Sequence, residues 1–177
     1  MKSIKFLAFL LTIITFASNS TLSASEPQLP RKTLGILAGY DTRNHSAEAG
    51  IFFQYRASKI VRIAPDLTYI ARRKGTDALA INLNVHFPFA VSKSGRVNVY
   101  PLAGINYTSW NYHPGKMARS TDETDDVTRR DNKFGLNLGG GIDVLITSTL
   151  KLRFEGKWVG AKHTSTGDFA VGIGYAF

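Results

Sequence analysis

The feature that most constrains this chain is the alternation of side chains along its C-terminal stretch, residues 150–177. One parity of the final run is bulky and apolar: Phe169, Val171, Ile173, Tyr175 and Phe177. The other parity carries only Gly and Ala, and in the preceding run it carries charged residues. Because successive side chains of a strand point to opposite faces, each run has one apolar face and one small or charged face. This pattern is typical of transmembrane β-strands, whose apolar face meets lipid while the other lines a narrow interior.

The same alternation recurs through the chain and predicts eight strands. They span residues 33–40, 49–56, 60–71, 78–89, 97–110, 133–146, 150–160 and 168–177. The predicted connections after the odd strands are longer than those after the even ones, and the longest is 111–132. This arrangement predicts an all-β fold, an eight-stranded antiparallel up-and-down transmembrane β-barrel with both termini on the periplasmic side and the longer loops outside the cell.

Aromatic residues near the predicted strand ends suggest girdles at the two membrane interfaces. The predicted outer girdle consists of Tyr40, Tyr69, Tyr107, Trp110, Phe134, Trp158 and Phe169. Pro65 and Pro101 fall inside strands, where a closed sheet leaves no edge for a residue without an N–H. We therefore expect β-bulges at both prolines, unless the strand limits differ there.

The N-terminal segment 1–25 resembles an export signal. Lys2 and Lys5 precede an apolar run, and the small residues of 23–25 suit a cleavage site. The apolar run is shorter than the roughly 20 residues that a spanning helix needs. We therefore expect a cleaved signal peptide (1–25), a short leader (26–32) and a barrel (33–177), and the chain has no cysteine for a lipid anchor or disulfide.

The chain is basic, with a formal net charge of +9, and loss of Lys2 and Lys5 leaves +7. The bases are dispersed instead of forming a stripe or a basic helix, which argues against nucleic acid as a partner. Anionic lipopolysaccharide and lipid head groups are the expected counterpart of this charge.

Charged side chains on the inward parity are the candidate interior site. They are Arg56, Arg62, Asp66, His86, Asp143, Lys151, Arg153, Glu155 and Lys157. An eight-stranded barrel is just wide enough for side chains to fill it, and bases and acids placed there must pair. The prediction is a polar plug that stabilises the barrel; the alternative is a narrow path for ions.

The four histidines give no metal-ligand spacing such as H-x-x-x-H, and His45, His113 and His163 fall in or beside predicted loops. The acidic cluster at 122–126 lacks the ordered spacing and the glycine of a calcium-binding loop. We therefore expect neither a metal nor a cofactor.

One group near the predicted outer rim could support catalysis. His163, Ser165 and Asp168 offer a base, a nucleophile and an orienting acid. The group faintly resembles the H-x-S-N element of outer-membrane lipid A deacylases, but Thr166 stands at the Asn position and Asp168 is much closer than the family's acid. A solvated loop without catalytic activity explains the same residues, so we expect that the protein is not an enzyme.

Four segments carry a broader family resemblance: 103–107 (AGINY), 139–143 (GGGID), 150–155 (LKLRFE) and 172–177 (GIGYAF). With them the mature chain resembles the bacterial outer-membrane β-barrel family of small opacity-protein-like barrels. The resemblance implies a Gram-negative outer-membrane location, and it implies that Tyr175 and Phe177 form the signal read by the barrel-assembly machinery. Family members include adhesins and envelope-stabilising proteins, which implies a non-enzymatic role in surface interaction or envelope integrity. Because exposed loops held by a rigid scaffold carry function, we expect loop 111–132 to be the contact surface for an extracellular ligand.

Overall fold

The structure is a computed structural model that describes residues 30–113, 129–161 and 164–177. The predicted signal 1–25 and most of loop 111–132 lie outside this part of the chain. The strands are β1 (Lys32–Asp41), β2 (Ser46–Arg56), β3 (Arg62–Arg73), β4 (Thr76–His86), β5 (Phe89–Ala90), β6 (Val97–Tyr112), β7 (Arg129–Leu145), β8 (Leu150–Ala161) and β9 (Thr164–Ala176). Among the residues described, no helix is long and apolar enough to cross a membrane.

The strands form one antiparallel sheet that closes on itself. Its order is β4-β3-β2-β1-β9-β8-β7-β6-β5, and β4 also pairs with β6. The short β5 continues the line of β4 along β6 in the same register, so the barrel has eight strands around its circumference. The predicted fold class is confirmed. Both chain ends lie at one end of the barrel, here called the terminal end; the opposite end is the outer end.

Burial alternates along the strands as the sequence pattern predicts. Apolar side chains on the outward parity are exposed, for example Ile36 at 62% and Leu136 at 61%. Side chains on the other parity are buried and mostly polar, as Asn84 and His86 show at 0%. An apolar outside around a polar inside is the reverse of a soluble barrel, because here the outer surface faces lipid.

The predicted alternation of longer and shorter connections is wrong. Those at the outer end are 42–45, 74–75, 113–128 and 162–163. Those at the terminal end are 57–61, 91–96 and 146–149. Only 113–128 is longer than all the terminal turns, because strand pairing continues past the lipid-facing apolar run, as at Asp41 opposite Ser46 and Ala161 opposite Thr164. Since transmembrane barrels of this kind have their longer loops outside the cell, the terminal end is still expected to face the periplasm.

The prediction of bulges at Pro65 and Pro101 is also wrong. The register is the same before and after each proline, and only the pairing with one neighbour is interrupted. The carbonyl of Pro101 still accepts a hydrogen bond from Phe87 N at 3.0 Å. A missing N–H thus costs one ladder hydrogen bond without displacing the strand. A register shift occurs instead between Ile70 and Arg73.

Trp110 does not belong to the outer aromatic girdle, because its side chain points inward. It is 4% exposed and packs with Ile70 and Ala78, and Tyr112 lies against this cluster. The guanidinium of Arg43 lies 4.7 Å from the centre of the Trp110 ring. This apolar cluster lies toward the outer end of the barrel.

The small parity of β9 makes room for an aromatic side chain. Phe52 is 1% exposed inside the barrel. A Cβ added at Gly35, Gly172 or Gly174 would come within 2.6, 2.8 and 3.1 Å of its ring. Arg153 covers the ring with its guanidinium at 4.9 Å. The glycines of the last strand therefore accommodate the bulky residue of β2.

The closed ladder predicts a measurable resistance to detergent. Unheated protein in sodium dodecyl sulfate should migrate differently from boiled protein, because the barrel leaves no edge at which the detergent can start to open it. Gel electrophoresis with and without boiling checks this. Protein without its N-terminal segment that stayed soluble and monomeric in detergent-free buffer would contradict the transmembrane fold.

Candidate functional site

The predicted interior residues lie inside the barrel. Seven are buried: Arg62, Asp66, His86, Asp143, Arg153, Glu155 and Lys157. Arg56 and Lys151 are half-buried near the terminal end. Each of these residues lies at a strand position whose side chain points into the barrel, while its neighbours along the strand point toward lipid.

Glu155 is the centre of one cluster. Its Oε2 accepts hydrogen bonds from Tyr100 Oη at 3.0 Å and from Arg153 Nε at 2.9 Å, and Arg153 Nη2 is also in contact. His86 Nε2 lies 3.6 Å from the same oxygen. The His86 and Tyr100 rings stack with centroids 4.4 Å apart. One carboxylate from β8 thus ties together side chains of β4, β6 and β8.

Arg62 is the centre of a second cluster, closer to the terminal end. Its Nη1 donates to Asp143 Oδ2, and its Nη2 lies 3.0 Å from His86 Nδ1. Its guanidinium also lies 4.7 Å from the centre of the Tyr100 ring. Lys151 Nζ donates to Gln54 Oε1 and lies 3.8 Å from Asp143. The two clusters share His86 and Tyr100, so they form one connected network.

Amide side chains fill the middle of the barrel. Asn82 and Asn84 donate to the two oxygens of Asp66 at 2.6 and 3.2 Å. Asn137 Nδ2 lies 2.9 Å from Asn82 Oδ1 and 2.8 Å from Asn84 Oδ1, and Asn106 donates to Asn82 Oδ1 at 2.8 Å. This layer crosses the interior from β3 to β7 and leaves it filled with side chains.

Sequence reasoning missed the acidic side chains at the outer end of the interior. Asp41 and Glu48 were expected in a loop, yet both lie in strands at 2% and 5% exposure. Asp168 lies nearby on β9. Lys157 Nζ, on β8, lies 3.1 Å from Asp168 Oδ2 and 3.9 Å from Asp66 Oδ2. The inward direction of the Asp41 and Glu48 side chains could have been predicted only by extending the first two predicted strands beyond their apolar runs.

The charges are therefore separated along the barrel axis. The outer half of the interior contains the carboxylates of Asp41, Glu48 and Asp168 and one buried base, Lys157, which also lies near Asp66 in the middle of the barrel. The terminal half contains four bases and two acids: Arg56, Arg62, Lys151 and Arg153 with Asp143 and Glu155.

A polar rim surrounds the outer opening. Arg72 Nε donates to Asp77 Oδ1 at 2.9 Å, and His113 Nδ1 lies 3.4 Å from the same oxygen. Asn111 donates to Asp77 Oδ2 at 3.2 Å. Asp77 is thus held by three side chains at the base of the 113–128 connection.

The candidate catalytic group is not brought together. Ser165 and Asp168 are three residues apart on β9, so they point to opposite faces of the strand. Ser165 is exposed, whereas Asp168 points inward and pairs with Lys157. His163 lies outside the described residues. Across the described ranges, no three His, Asp or Glu side chains are grouped as metal ligands.

The residues of the predicted assembly signal lie at the terminal end. Tyr175 and Phe177 are 59% and 55% exposed, with ring centroids 6.0 Å apart. Phe177 exchanges two backbone hydrogen bonds of 2.9 Å with Lys32. The last residue is therefore fixed to the first strand while its ring stays accessible.

An apolar outer wall, a closed ladder and a filled polar interior define a transmembrane β-barrel protein. The chain matches the outer membrane protein beta-barrel domain over residues 9–177 and belongs to that family. This confirms the predicted resemblance and places the protein in the outer membrane.

Solved structures share the fold at low identity. The N-terminal β-barrel domain of OprF from Pseudomonas aeruginosa is 12% identical, with a TM-score of 0.62, covering 85% of this chain and 100% of that one. Neisserial surface protein A is 15% identical (TM-score 0.61; 82% and 96% covered). Ail, the attachment invasion locus protein of Yersinia pestis, is 11% identical (TM-score 0.59; 82% and 96% covered). No curated protein sequence matches the chain.

Removal of the Glu155 charge should destabilise the barrel strongly. In Glu155→Leu, Arg153 loses its carboxylate partner while remaining buried, which costs about 3–5 kcal/mol in the free energy of unfolding. Urea unfolding in lipid vesicles measures this. The control is Asp131→Asn. It removes the ion pair between Lys133 and the Asp131 carboxylate, which is 42% exposed, so the free energy of unfolding should change by less than about 1 kcal/mol. Equal effects would contradict a structural role for the interior network.

Proposed function

We propose that this protein is a non-enzymatic outer-membrane barrel whose outer end makes surface contacts with an extracellular ligand. The barrel wall supplies the anchor, and the segment between β6 and β7 supplies the contact surface. The observation that carries the proposal is the β6–β7 hairpin, in which β7 extends past β8 at the outer end.

The hairpin is built from the two longest strands. β6 has 16 residues and β7 has 17, and they pair from Val97 opposite Val144 to Tyr112 opposite Arg129. The pairing of β7 with β8 begins only at Gly135, so residues 129–134 pair with β6 alone. The 113–128 connection therefore begins and ends on paired strands, at Tyr112 and Arg129, and a binding segment held by such a rigid scaffold suits surface contact.

The chemistry of this surface is polar and mixed in charge. The connection contains Asp122, Glu123, Asp125 and Asp126 together with Lys116 and Arg119. Arg129, Arg130, Asp131 and Lys133 continue the charge along β7. A surface of this kind suits a polar partner, whereas nucleic acid would favour a continuous basic stripe.

Further partners follow from the membrane location. The basic chain would contact lipopolysaccharide and lipid head groups, and the accessible ring of Phe177 would be read by the barrel-assembly machinery during insertion. Export through a signal at 1–25 that is then cleaved belongs to the same proposal.

The filled interior supports a non-porous role over the alternative of a narrow pore. Purified protein in planar lipid bilayers should give no discrete conductance steps, because the Glu155, Arg62 and Asn137 contacts cross the space that ions would need. Single-channel recording checks this, with a general porin as the positive control. Reproducible steps from folded protein would favour the pore.

Shortening the hairpin should separate surface contact from anchoring. Replacing 114–127 by a two-residue Asn-Gly turn should preserve the heat-dependent mobility, because the deleted segment lies beyond the barrel ladder. Cells that express this variant should adhere less to a polar surface than cells with the intact protein. Adhesion counts on a strain that lacks the chromosomal copy measure the effect.

A matched control keeps the hairpin and changes the opposite end of the barrel. Lys93→Gln, in a terminal turn, should leave adhesion unchanged. If the shortened hairpin leaves adhesion intact but raises sensitivity to vancomycin, the barrel serves envelope integrity and the surface-contact proposal is wrong.

A further inference from the structure

A small pocket at the terminal mouth of the interior has four bases among its lining residues. Arg56, Arg62, Arg96 and Lys151 line it, and Asp143 is the one acid in the lining. Thr33 and Asn98 add a hydroxyl and an amide. We infer that this pocket binds an oxyanion, a phosphate or carboxylate group, presented from the periplasmic side.

The strand register forces two of these bases together. Arg56 and Arg62 are direct cross-strand partners on β2 and β3, and both occupy the inward parity. Like charges directly opposite each other destabilise a sheet. Arg56 also has an interaction of its own, and a bound anion would offset the repulsion further.

The one acid of the pocket is engaged through one oxygen only, because its Oδ1 is buried without a hydrogen-bond partner among the described residues. Asp143 Oδ2 accepts from Arg62 Nη1 and lies 3.8 Å from Lys151 Nζ. A single carboxylate therefore faces several bases, and the other interior acid of this half, Glu155, is occupied by Arg153 and Tyr100. Four bases and one acid therefore line the terminal mouth, a composition that favours an anion.

A buried donor without a partner lies in the same place. Arg62 is 3% exposed, and its Nε makes no hydrogen bond although the rest of its guanidinium is occupied. Buried polar groups are normally satisfied, and an unsatisfied one indicates an unseen partner. An oxygen atom of a ligand at this mouth would supply one.

The size of the pocket limits what enters it. Its volume is about 20 Å³, which is room for one or two water molecules. Only the oxygens of a terminal phosphate or carboxylate fit, and the rest of the molecule stays outside. The ligand is therefore either a small free anion or the anionic end group of a larger molecule, such as a phospholipid.

The test uses the full-length folded barrel in neutral detergent and inorganic phosphate as the probe. Phosphate at constant ionic strength should raise the temperature at which the barrel loses its unheated gel mobility, and the shift should saturate. Arg96 is exposed and outside the interior network, so Arg96→Gln should fold normally and bind phosphate about tenfold more weakly, since a charge-assisted contact is lost.

The matched control is Lys93→Gln, which removes the same charge from the same turn but from a residue that does not line the pocket. It should bind phosphate like the unmodified protein. A second variant, Asn98→Asp, keeps all four bases and adds an acid to the lining, so it should also bind more weakly. No saturable shift, or an equal loss in Arg96→Gln and Lys93→Gln, would overturn the proposal.

A second arm distinguishes the source of the anion. Phosphatidic acid added to the micelles should give a saturable shift at lower concentration than inorganic phosphate if the ligand is a lipid head group. If inorganic phosphate is the stronger ligand, the pocket serves a soluble periplasmic anion. Both results support the oxyanion site, and loss of both shifts in Arg96→Gln ties them to the pocket.

Discussion

The rest of the structure depends on the pairing of the first strand with the last. β1 and β9 are joined from Thr33 opposite Ala176 to Asp41 opposite Asp168, and this seam removes the two edges that an open sheet would expose. Hydrocarbon offers no partner for a free N–H or C=O, so an unclosed sheet could not remain in a bilayer. The terminal Phe177 extends the seam by two further backbone hydrogen bonds to Lys32.

Closure at eight strands determines what the interior must contain. The space is as wide as two opposing side chains, so large and small residues have to match across it. Phe52 fits because Gly35, Gly172 and Gly174 carry no side chain. Charges fit where they are paired, as Glu155 is with Arg153 and Arg62 is with Asp143. Breaking one such pair leaves a buried charge, whereas an exposed pair is solvated in any case.

The barrel wall is shared with other outer-membrane proteins, whereas the proposed binding surfaces of this protein lie at its two ends. Family membership and the likeness to OprF, Neisserial surface protein A and Ail concern the wall and its place in the outer membrane. At the outer end the β6–β7 hairpin carries a polar segment of mixed charge. At the terminal end the interior opens on a group of bases. Inside the barrel, acids outnumber bases toward the outer end and bases outnumber acids toward the terminal end, so the two ends suit different partners.

The sequence by itself determined which side chains face lipid and which face inward, because parity along a strand assigns the face whatever the neighbours are. The inward positions of Glu155 and Asp143 could be read in this way. Only the tertiary structure decided the partners, such as Arg62 with Asp143, which are 81 residues apart in the chain. It also decided the inward position of Trp110, the unbroken register at Pro65, and the true ends of the strands. The physical reason is that the apolar pattern ends where lipid ends, while backbone pairing continues beyond it, and contacts across the interior form only when the sheet closes.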